Sequence, residues 1–259
     1  MTHIAFIHSF RGGTGKSNIA ANLAVLIANQ GKRVGIVDTN LQAPSLHHLF
    51  GVTDAQPTFN DYLRGRCTIQ AAAYDVTSKL AGRSKGKTTR PDAGALILMP
   101  ASDLINQIAY VWKFGADLEV LTRGYDEFCK LFALDLLIID TDPGLDKQTF
   151  FSLEKADSFY MIMTPDVHDY QGAGATLQII RELDIPNIVV MVNKLVPTAD
   201  VAKIKEEIEM RIDVPVAALL PHAEEMLSLG SEGIFVEKHA DHPITTQLNQ
   251  VASQLLARL

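Results

Sequence analysis

The sequence predicts a single α/β domain spanning residues 1–259, built on a mostly parallel, twisted sheet with helices on both faces. Two observations support this prediction. Short apolar runs alternate along the chain with segments whose apolar residues recur at helical spacing, an order typical of parallel sheets. In addition, the 259 residues contain no linker-like stretch, repeat or shift of composition that would divide them into separate domains.

The predicted strands are short and apolar, because strands of a parallel sheet are covered by helices on both faces. They lie at residues 4–8, 34–37, 96–99, 134–139, 159–163, 188–192 and 214–219. The second and fourth strands lead directly into Asp38 and Asp140. Ligands of such sheets gather at the carboxyl ends of the strands, so both aspartates are expected at the functional edge.

The predicted helices carry apolar residues three and four positions apart. The first, over residues 17–30, places Ile19, Leu23 and Leu26 on one face and stops at Gly31. Further helices are predicted at residues 118–132, near 172–183, at 199–212 and at the end of the chain, 243–259.

Composition excludes several classes of protein. The chain is 47% hydrophobic and 20% charged, as globular proteins are, and its net charge of -7 does not favour broad adhesion to nucleic acid or anionic lipid. Cys67 and Cys129 lie far apart, which argues against a disulfide scaffold, a zinc site or an iron–sulfur carrier. The apolar start is too short for a signal peptide, and no run reaches the roughly 18 apolar residues of a membrane span, so a cytoplasmic location is expected.

One segment differs from the rest in charge. Residues 78–91 contain five cations and no acid, and they are predicted to form an exposed loop. The cations are Lys79, Arg83, Lys85, Lys87 and Arg90.

The main functional motif follows the first strand and opens the first helix. Glycines let successive backbone amides curve around an anion, and the helix N-terminus adds partial positive charge. Lys16 is expected to reach the β- and γ-phosphates, and the Ser17 hydroxyl to bind Mg²⁺. Because the Gly-Lys-Ser ending coincides with a preceding strand and a following helix, this P-loop predicts phosphate binding. Its predicted nucleotide-binding residues are Gly12, Gly13, Thr14, Gly15, Lys16, Ser17 and Asn18.

Phe10 stands where the general P-loop pattern has its first glycine. With this departure, the segment from Arg11 to Ser17 resembles the deviant Walker A motif, [K/R]-GG-x-GK-[ST], of the ParA/MinD family of ATPases. In that family a basic residue before the glycines reaches across a homodimer to the partner's phosphates. The resemblance implies this role for Arg11, where the family usually has lysine.

The resemblance extends to three further segments. The family pattern hhhhDxDxxxPS is similar to residues 34–45, with Asp38 in its first acidic position. The pattern D-[ST]-x-P-G is similar to residues 140–144. Two segments that surround adenine in the family correspond here to Asn193-Lys194 and Pro221-His222.

What the resemblance implies is an ATP site with Mg²⁺. Asp140 would act as the Walker B carboxylate and hold the metal ion together with Ser17, and Asp38 would lie near the metal and the reacting phosphate. Gly144 would belong to a switch loop whose backbone amide senses the γ-phosphate.

Asn40 is an exception to the family pattern, which has a second aspartate at this position, associated with positioning the attacking water. An amide cannot act as a general base, although phosphoryl transfer depends more on positioning and charge stabilisation. Two outcomes therefore stay open: slow hydrolysis with Asn40 orienting water, or a nearly inert nucleotide-bound dimer. Asp142 is a further candidate to replace the missing carboxylate.

The function that the resemblance implies is an ATP-dependent dimerisation switch that positions or partitions a cargo such as DNA, a plasmid or a protein assembly. The alternatives are a noncatalytic nucleotide-gated scaffold and a MinD-like membrane-associated ATPase. An adaptor protein that stimulates hydrolysis and nonspecific DNA are candidate partners. The C-terminal segment 243–259 has one cation, Arg258, and resembles a core-packing helix, which argues against direct membrane binding.

Two other classes on the same scaffold fit less well. Metal- or cluster-delivery relatives place paired cysteines at the dimer interface, and Cys67 and Cys129 do not supply such a pair. A tyrosine-kinase relative would carry a terminal tyrosine cluster, whereas the last tyrosine here is Tyr170.

Overall fold

The computed structural model describes residues 1–80, 94–230 and 232–259. Eight strands of these residues form one sheet: β1 (His3–His8), β2 (Arg33–Asp38), β3 (Tyr74–Asp75), β4 (Ala95–Met99), β5 (Leu136–Asp140), β6 (Ser158–Met163), β7 (Asn187–Leu195) and β8 (Val216–Pro221). Their order across the sheet is β3-β4-β2-β5-β1-β6-β7-β8. Of the strands described, β3 alone runs antiparallel, at the edge. The predicted fold class is confirmed.

The described helices connect and cover the strands. They are α1 (Lys16–Asn29), α2 (Leu46–Leu49), α3 (Phe59–Leu63), α4 (Ile105–Phe114), α5 (Leu118–Phe132), α6 (Lys147–Ser152), α7 (Val167–Arg181), α8 (Val201–Ile212), α9 (Glu224–Leu229), α10 (Phe235–Lys238) and α11 (Pro243–Leu256). Short 3-10 turns occupy Thr77–Lys79 and Leu153–Lys155.

Alternate residues of the central strands bury their side chains in two apolar layers. Ala5 and Ile7 of β1 face the layer that contains α1 and α11, whereas Ile4 and Phe6 face the layer that contains α5 and α7. This alternation follows from the pleat of a strand. Because both faces of the sheet are covered, the sequences of these strands are continuously apolar.

The strand order brings three loops together at the carboxyl edge of the sheet. β5 lies between β1 and β2, and its last residue, Asp140, is in register with Ile7 on one side and Asp38 on the other. The P-loop that follows β1 therefore opens beside both aspartates, as predicted for the functional edge.

Several boundaries differ from the prediction. β7 continues to Leu195, so Asn193 lies within a strand rather than after it. α7 begins at Val167, earlier than expected, because the Asp166 side chain caps its first turn by accepting from two backbone amides. The sequence did not predict α4, whose apolar residues Trp112 and Phe114 are exposed instead of packed in the core.

Two predicted segments bear on DNA or membrane binding, the basic loop and the C-terminal helix, and only the second is described in full. Residues 81–93, which include most of the predicted basic loop, lie outside the described residues. The helix expected at the end of the chain is α11, and it buries one side against α1 and β8, including Ile244, Leu248 and Val251. Within the described ranges, no helix combines the length and apolar character needed to cross a bilayer.

Candidate functional site

The P-loop backbone is shaped by glycines. Gly13 and Gly15 have φ values of 79° and 92°, in the left-handed region that other residues adopt only with strain. A Cβ on Gly15 would also lie 2.4 Å from the Asn193 amide nitrogen, so this position accepts glycine for two reasons. The loop leads into the first turn of α1, whose amides an α-helix cannot pair internally and which are thus available to an anion.

Lys16 forms the centre of the site. Its ammonium group lies 2.6 Å from Asp140 Oδ1, and both side chains are buried. The other carboxylate oxygen of Asp140, Oδ2, is buried without a hydrogen-bond partner among the described residues. A buried acceptor of this kind is costly unless something binds it, which makes Oδ2 the best candidate for a cation ligand.

Asp38 lies at the end of the neighbouring strand and is fully enclosed. One oxygen accepts from the Asn40 amide at 3.1 Å, and the other accepts from the amides of Ser45 and Leu46 at 3.0 and 3.1 Å. Burial, together with the negative charge of Asp140, raises the pKa of Asp38 to about 7. The position predicted to lie near the metal thus also organises the loop between β2 and α2.

A cavity of about 420 Å³ opens beside the P-loop, with Ser17, Asn40 and Asp142 among its lining residues. The Asn40 side-chain oxygen accepts from the Ala43 amide at 3.1 Å and closes a turn. Asp142 Oδ1 is buried and lacks a hydrogen-bond partner in the described part of the chain. Burial, followed by the charge of Asp146, raises the pKa of Asp142 to about 7.

The loop after β5 is attached to the P-loop. Gly144, with a φ of 79°, donates its amide hydrogen to the Ser9 carbonyl at 2.9 Å. The amide that was expected to contact the γ-phosphate is therefore occupied by the protein in this conformation. The hydrogen bond to the Ser9 carbonyl would have to break before the Gly144 amide could reach a phosphate.

A second cavity, of about 290 Å³, lies on the other side of the P-loop. Its lining includes all four residues predicted to surround adenine, Asn193, Lys194, Pro221 and His222, together with Asn18. The Asn193 side chain donates to the Thr14 carbonyl at 2.8 Å, and Lys194 Nζ donates to the Gly13 carbonyl at 2.6 Å. The two cavities flank one glycine loop, an arrangement suited to a base on one side and phosphates on the other.

Arg11 points away from both cavities. Its guanidinium lies 3.2 Å from Asp166 and 3.4 Å from Asp169, and it donates to the Thr164 hydroxyl at 3.2 Å. These acidic partners were not predicted from the sequence. An Asp three residues beyond the predicted strand 159–163 is a typical helix N-cap, and this signal could have placed Asp166 and the start of α7 beside the P-loop.

Phe10, the departure from the general P-loop pattern, packs against α7. A Cβ on Gly172 would lie 2.0–2.3 Å from three carbons of the Phe10 ring. Glycine at position 172 therefore provides the space that the aromatic ring occupies, and the two residues depend on each other.

The residues predicted to hold Mg²⁺ supply the oxygen ligands that this ion prefers. Asp140 Oδ2 is buried and unpaired within the described structure, and Ser17 lines the adjoining cavity. Asp38 fits less directly, because its two oxygens already accept three backbone amides. The donor set therefore fits a magnesium ion held by Asp140 and Ser17, while Asp38 fixes the loop between β2 and α2.

The two cysteines do not form a comparable site. Cys129 is buried in α5, and burial raises the pKa of its thiol to about 11. Cys67 is half-buried in the loop after α3, and burial raises its pKa as well. Because the thiolate is the form that binds metals, neither environment favours ligation of a cluster.

Comparison with known proteins gives a consistent family assignment. Residues 1–256 match the ParA family, described as NUBPL iron-transfer P-loop NTPase. An uncharacterized ATP-binding protein of Methanocaldococcus jannaschii is 25% identical over 253 residues, which cover 96% of this chain and 86% of that protein. The iron-sulfur cluster carrier protein of Deinococcus radiodurans is 41% identical over 196 residues, covering 74% of this chain but 49% of its own length.

A solved structure shows the same fold. The septum site-determining protein MinD of Pyrococcus horikoshii, complexed with Mg-ADP, has a TM-score of 0.79 and 20% sequence identity to this chain, and the match covers 99% of this chain and 98% of that one.

Proposed function

Because this chain belongs to the ParA family of P-loop NTPases, we propose that it binds ATP with Mg²⁺, hydrolyses it slowly and uses bound ATP to form a homodimer. The family match confirms the resemblance read from the deviant Walker A motif. The dimer is proposed to position or partition a cargo, and hydrolysis to release it.

One observation carries the proposal of nucleotide binding: the P-loop ends in a buried ion pair between Lys16 and Asp140. Lys16 Nζ lies 2.6 Å from one oxygen of Asp140, while the other oxygen is left unpaired among described residues. A buried lysine paired at only one carboxylate oxygen, beside unpaired helix amides, is suited to exchange its partner for a phosphate.

The proposed mechanism assigns separate tasks to the residues of the site. The P-loop amides and Lys16 bind the phosphates, while Asp140 and Ser17 hold the magnesium ion. When bound, Mg²⁺ neutralises the charge that develops on the phosphate oxygens. Asn193 fixes the P-loop through its bond to the Thr14 carbonyl, and the cavity beside it accommodates the base.

The attacking water is proposed to be oriented by Asn40 or by Asp142, which line one cavity with the P-loop. Asn40 already uses its side-chain oxygen in a turn, so it offers its NH₂ group to a water. Asp142 offers a buried oxygen that has no hydrogen-bond partner in the described parts of the chain. Neither arrangement provides the aspartate typical of the family at position 40, which is why slow turnover is expected.

Dimerisation is proposed to depend on Arg11. This guanidinium is exposed and lies beside the P-loop, where it can leave its own chain and contact the phosphates bound by a second copy. The nucleotide acts only through a different affinity for monomer and dimer, so ATP favours association and its loss favours release.

The candidate partners of the dimer are DNA, a membrane and an adaptor protein. DNA binding would draw on the cations near residues 79–90 or on Lys203, Lys205 and Arg211 of α8, among which Lys205 lies 3.9 Å from Glu209. Direct membrane anchoring is disfavoured, because α11 buries its apolar side in the core. An adaptor protein that stimulates hydrolysis fits the expected slow basal rate.

Delivery of iron or an iron–sulfur cluster is not proposed, although the family description and the Deinococcus relative's name refer to it. This sequence has two cysteines, one buried and one half-buried, in separate elements. Burial disfavours the thiolate form of both.

Titration calorimetry with ATP and Mg²⁺, followed by a phosphate-release assay at saturating ATP, tests the proposal. Binding with slow phosphate release is expected. Binding without any phosphate release would favour the noncatalytic scaffold, and absence of binding would contradict the assignment of the P-loop.

A further inference from the structure

A second group of potential ligands lies apart from the P-loop, on the loops that follow β2 and β4. His47 and His48 are adjacent residues of α2, and Asp103 lies four residues beyond the end of β4. Because β2 and β4 are neighbouring parallel strands, their carboxyl ends bring the three side chains together. One potential ligand atom from each lies within 4.8 Å of the other two.

The environment of the His47 side chain is suited to a metal ligand. The side chain is 5% exposed, and neither ring nitrogen has a hydrogen-bond partner among the described residues. A buried imidazole normally satisfies both nitrogens, because an unpaired buried polar atom costs about 1–3 kcal/mol.

The spacing of His47 and Asp103 fits two ligands of a shared ion better than a direct hydrogen bond. His47 Nε2 and Asp103 Oδ2 are 3.6 Å apart, beyond the usual length of a hydrogen bond. Two ligands of one tetrahedral ion, each about 2.1 Å from the metal, lie about 3.4 Å from each other. The ring centroids of His47 and His48 are 3.9 Å apart, so the second imidazole borders the same space.

We propose that His47, His48 and Asp103 bind one divalent transition-metal ion of the Zn²⁺ class, with solvent completing the coordination. Two imidazoles and one carboxylate are a donor set for such ions, whereas Mg²⁺ prefers oxygen ligands alone. His48 and Asp103 are exposed, which gives the ion a path from solvent.

The proposed site is attached to the nucleotide site through α2. The amides of Ser45 and Leu46, immediately before His47, donate to Asp38. An ion bound at this site would hold α2 against the loop after β4 and thereby fix the segment that encloses Asp38.

Cobalt(II) is a suitable probe, because its visible absorption reports its ligands. Tag-free full-length protein is stripped with a chelator and titrated with Co²⁺ in excess Mg²⁺, which occupies carboxylate sites near Asp140. One equivalent is expected to bind with a ligand-field spectrum typical of nitrogen and oxygen ligands, and Zn²⁺ is expected to displace it.

The variants His48→Ala and Asp103→Asn change exposed side chains, so the fold is expected to persist, and a thermal melt checks this. Each is expected to weaken Co²⁺ binding at least about tenfold. His168→Ala, which removes an exposed histidine of α7, is the matched control and is expected to bind like the wild type. Co²⁺ binding of wild-type strength in both ligand variants would overturn the proposal.

X-ray absorption at the zinc edge provides an independent measurement on the unaltered protein. A shell containing two imidazoles is expected for the Zn²⁺-loaded protein. A shell of oxygen atoms alone, or no retained zinc, would contradict the assignment even if all variants were well folded.

Discussion

Two cations of the same loop, Lys16 and Arg11, have opposite environments. Lys16 is 6% exposed and, among the residues described, has one partner, Asp140, at 2.6 Å. Arg11 is 43% exposed and is shared between Asp166 and Asp169 at 3.2 and 3.4 Å. Buried ion pairs are costly to break, whereas exposed pairs are weak and screened by salt. The difference indicates that Lys16 can leave Asp140 only for another anion in the site, such as a phosphate, whereas Arg11 can leave the exposed Asp166 at little cost. The contact of Arg11 with Asp169, which is buried, is the costlier of its two contacts to break.

The acids around the two cations differ in the same way. Burial raises the pKa of Asp38 and Asp142 to about 7. Near Arg11, the pKa of Asp166 is lowered, first by the Asp169 amide and further by the Arg11 charge. The inner region (Lys16, Asp38, Asp140 and Asp142) therefore holds its acids at a cost that a bound cation would relieve. In the outer region (Arg11, Asp166 and Asp169), the Arg11 charge already lies beside both acids.

The largest effect is expected for Lys16→Ala, which tests the inner region. Nucleotide binding should be lost, because the ammonium that meets the phosphates is removed. The substitution leaves Asp140 buried without its partner, so the free energy of unfolding should fall by about 3 kcal/mol. Calorimetry and urea unfolding measure both effects. Lys130→Ala, an exposed lysine of α5, is the control, and ATP affinity retained by the Lys16 variant would show that the loop is misread.

Arg11→Ala tests the outer region. ATP binding should be nearly unchanged, while ATP-dependent dimerisation, followed by size exclusion with light scattering, should be lost. Arg11→Lys restores the residue usual in the family and should recover dimerisation, since the charge is kept. Identical elution of the alanine variant and the wild type with ATP would contradict a role across the dimer.

Asn40→Asp tests the inner region without changing its packing. An aspartate can accept the same bond from the Ala43 amide and would restore the carboxylate usual in the family. Phosphate release per dimer should rise about a hundredfold, the lower end of general-base contributions. A wild-type rate near the typical enzyme value of about 10 s⁻¹, unchanged by the substitution, would argue against the proposed effect of Asn40.

A smaller effect is expected for Asp166→Asn, which weakens the contact that holds Arg11 in its own chain. Asparagine caps helices as well as aspartate does, so α7 should remain intact. ATP-dependent dimerisation should strengthen about two- to fivefold, a gain that salt should diminish. Asp200→Asn, at the N-cap of α8, is the matched control. Weaker dimerisation in the Asp166 variant would mean that this acid supports the dimer instead.

The last prediction concerns the pH dependence of stability in Asp142→Asn. The folded-state pKa of Asp142 is raised from 3.8 to about 7, so its contribution to stability is present below pH 3.8 and is lost as the pH rises through about 7. Relative to the wild type, the variant should therefore gain stability between these values. Urea unfolding of the nucleotide-free protein measures the difference, with exposed Asp241→Asn as control. A gain that decreased with rising pH would contradict the stated burial effect.

The sequence predicted most of what lies in the inner region. Its glycines, Lys16 and the two strand-end aspartates are adjacent to strong strand and helix signals, and parallel topology brings such ends together. The unpaired oxygen of Asp140 could not be predicted, because it depends on side-chain geometry. The same applies to the three backbone hydrogen bonds that occupy both oxygens of Asp38.

The outer region was harder to predict because its contacts join distant parts of the chain. Arg11 was identified from its motif, but its partners Asp166 and Asp169 lie more than 150 residues away, and the N-cap signal at Asp166 does not name Arg11 as a partner. The space that Gly172 leaves for Phe10 is likewise a tertiary contact. The proposed His47–His48–Asp103 site combines adjacent histidines with an aspartate from another loop, and no spacing rule connects them.

The most direct test of the difference between Lys16 and Arg11 is a crystal structure with a nonhydrolysable ATP analogue and Mg²⁺. We expect the triphosphate in the P-loop, Lys16 in contact with phosphate of the same chain, and Arg11 moved from Asp166 to the phosphates of a second copy. An empty loop at saturating nucleotide, or a loaded loop with Arg11 still bound to Asp166 and Asp169, would contradict this account.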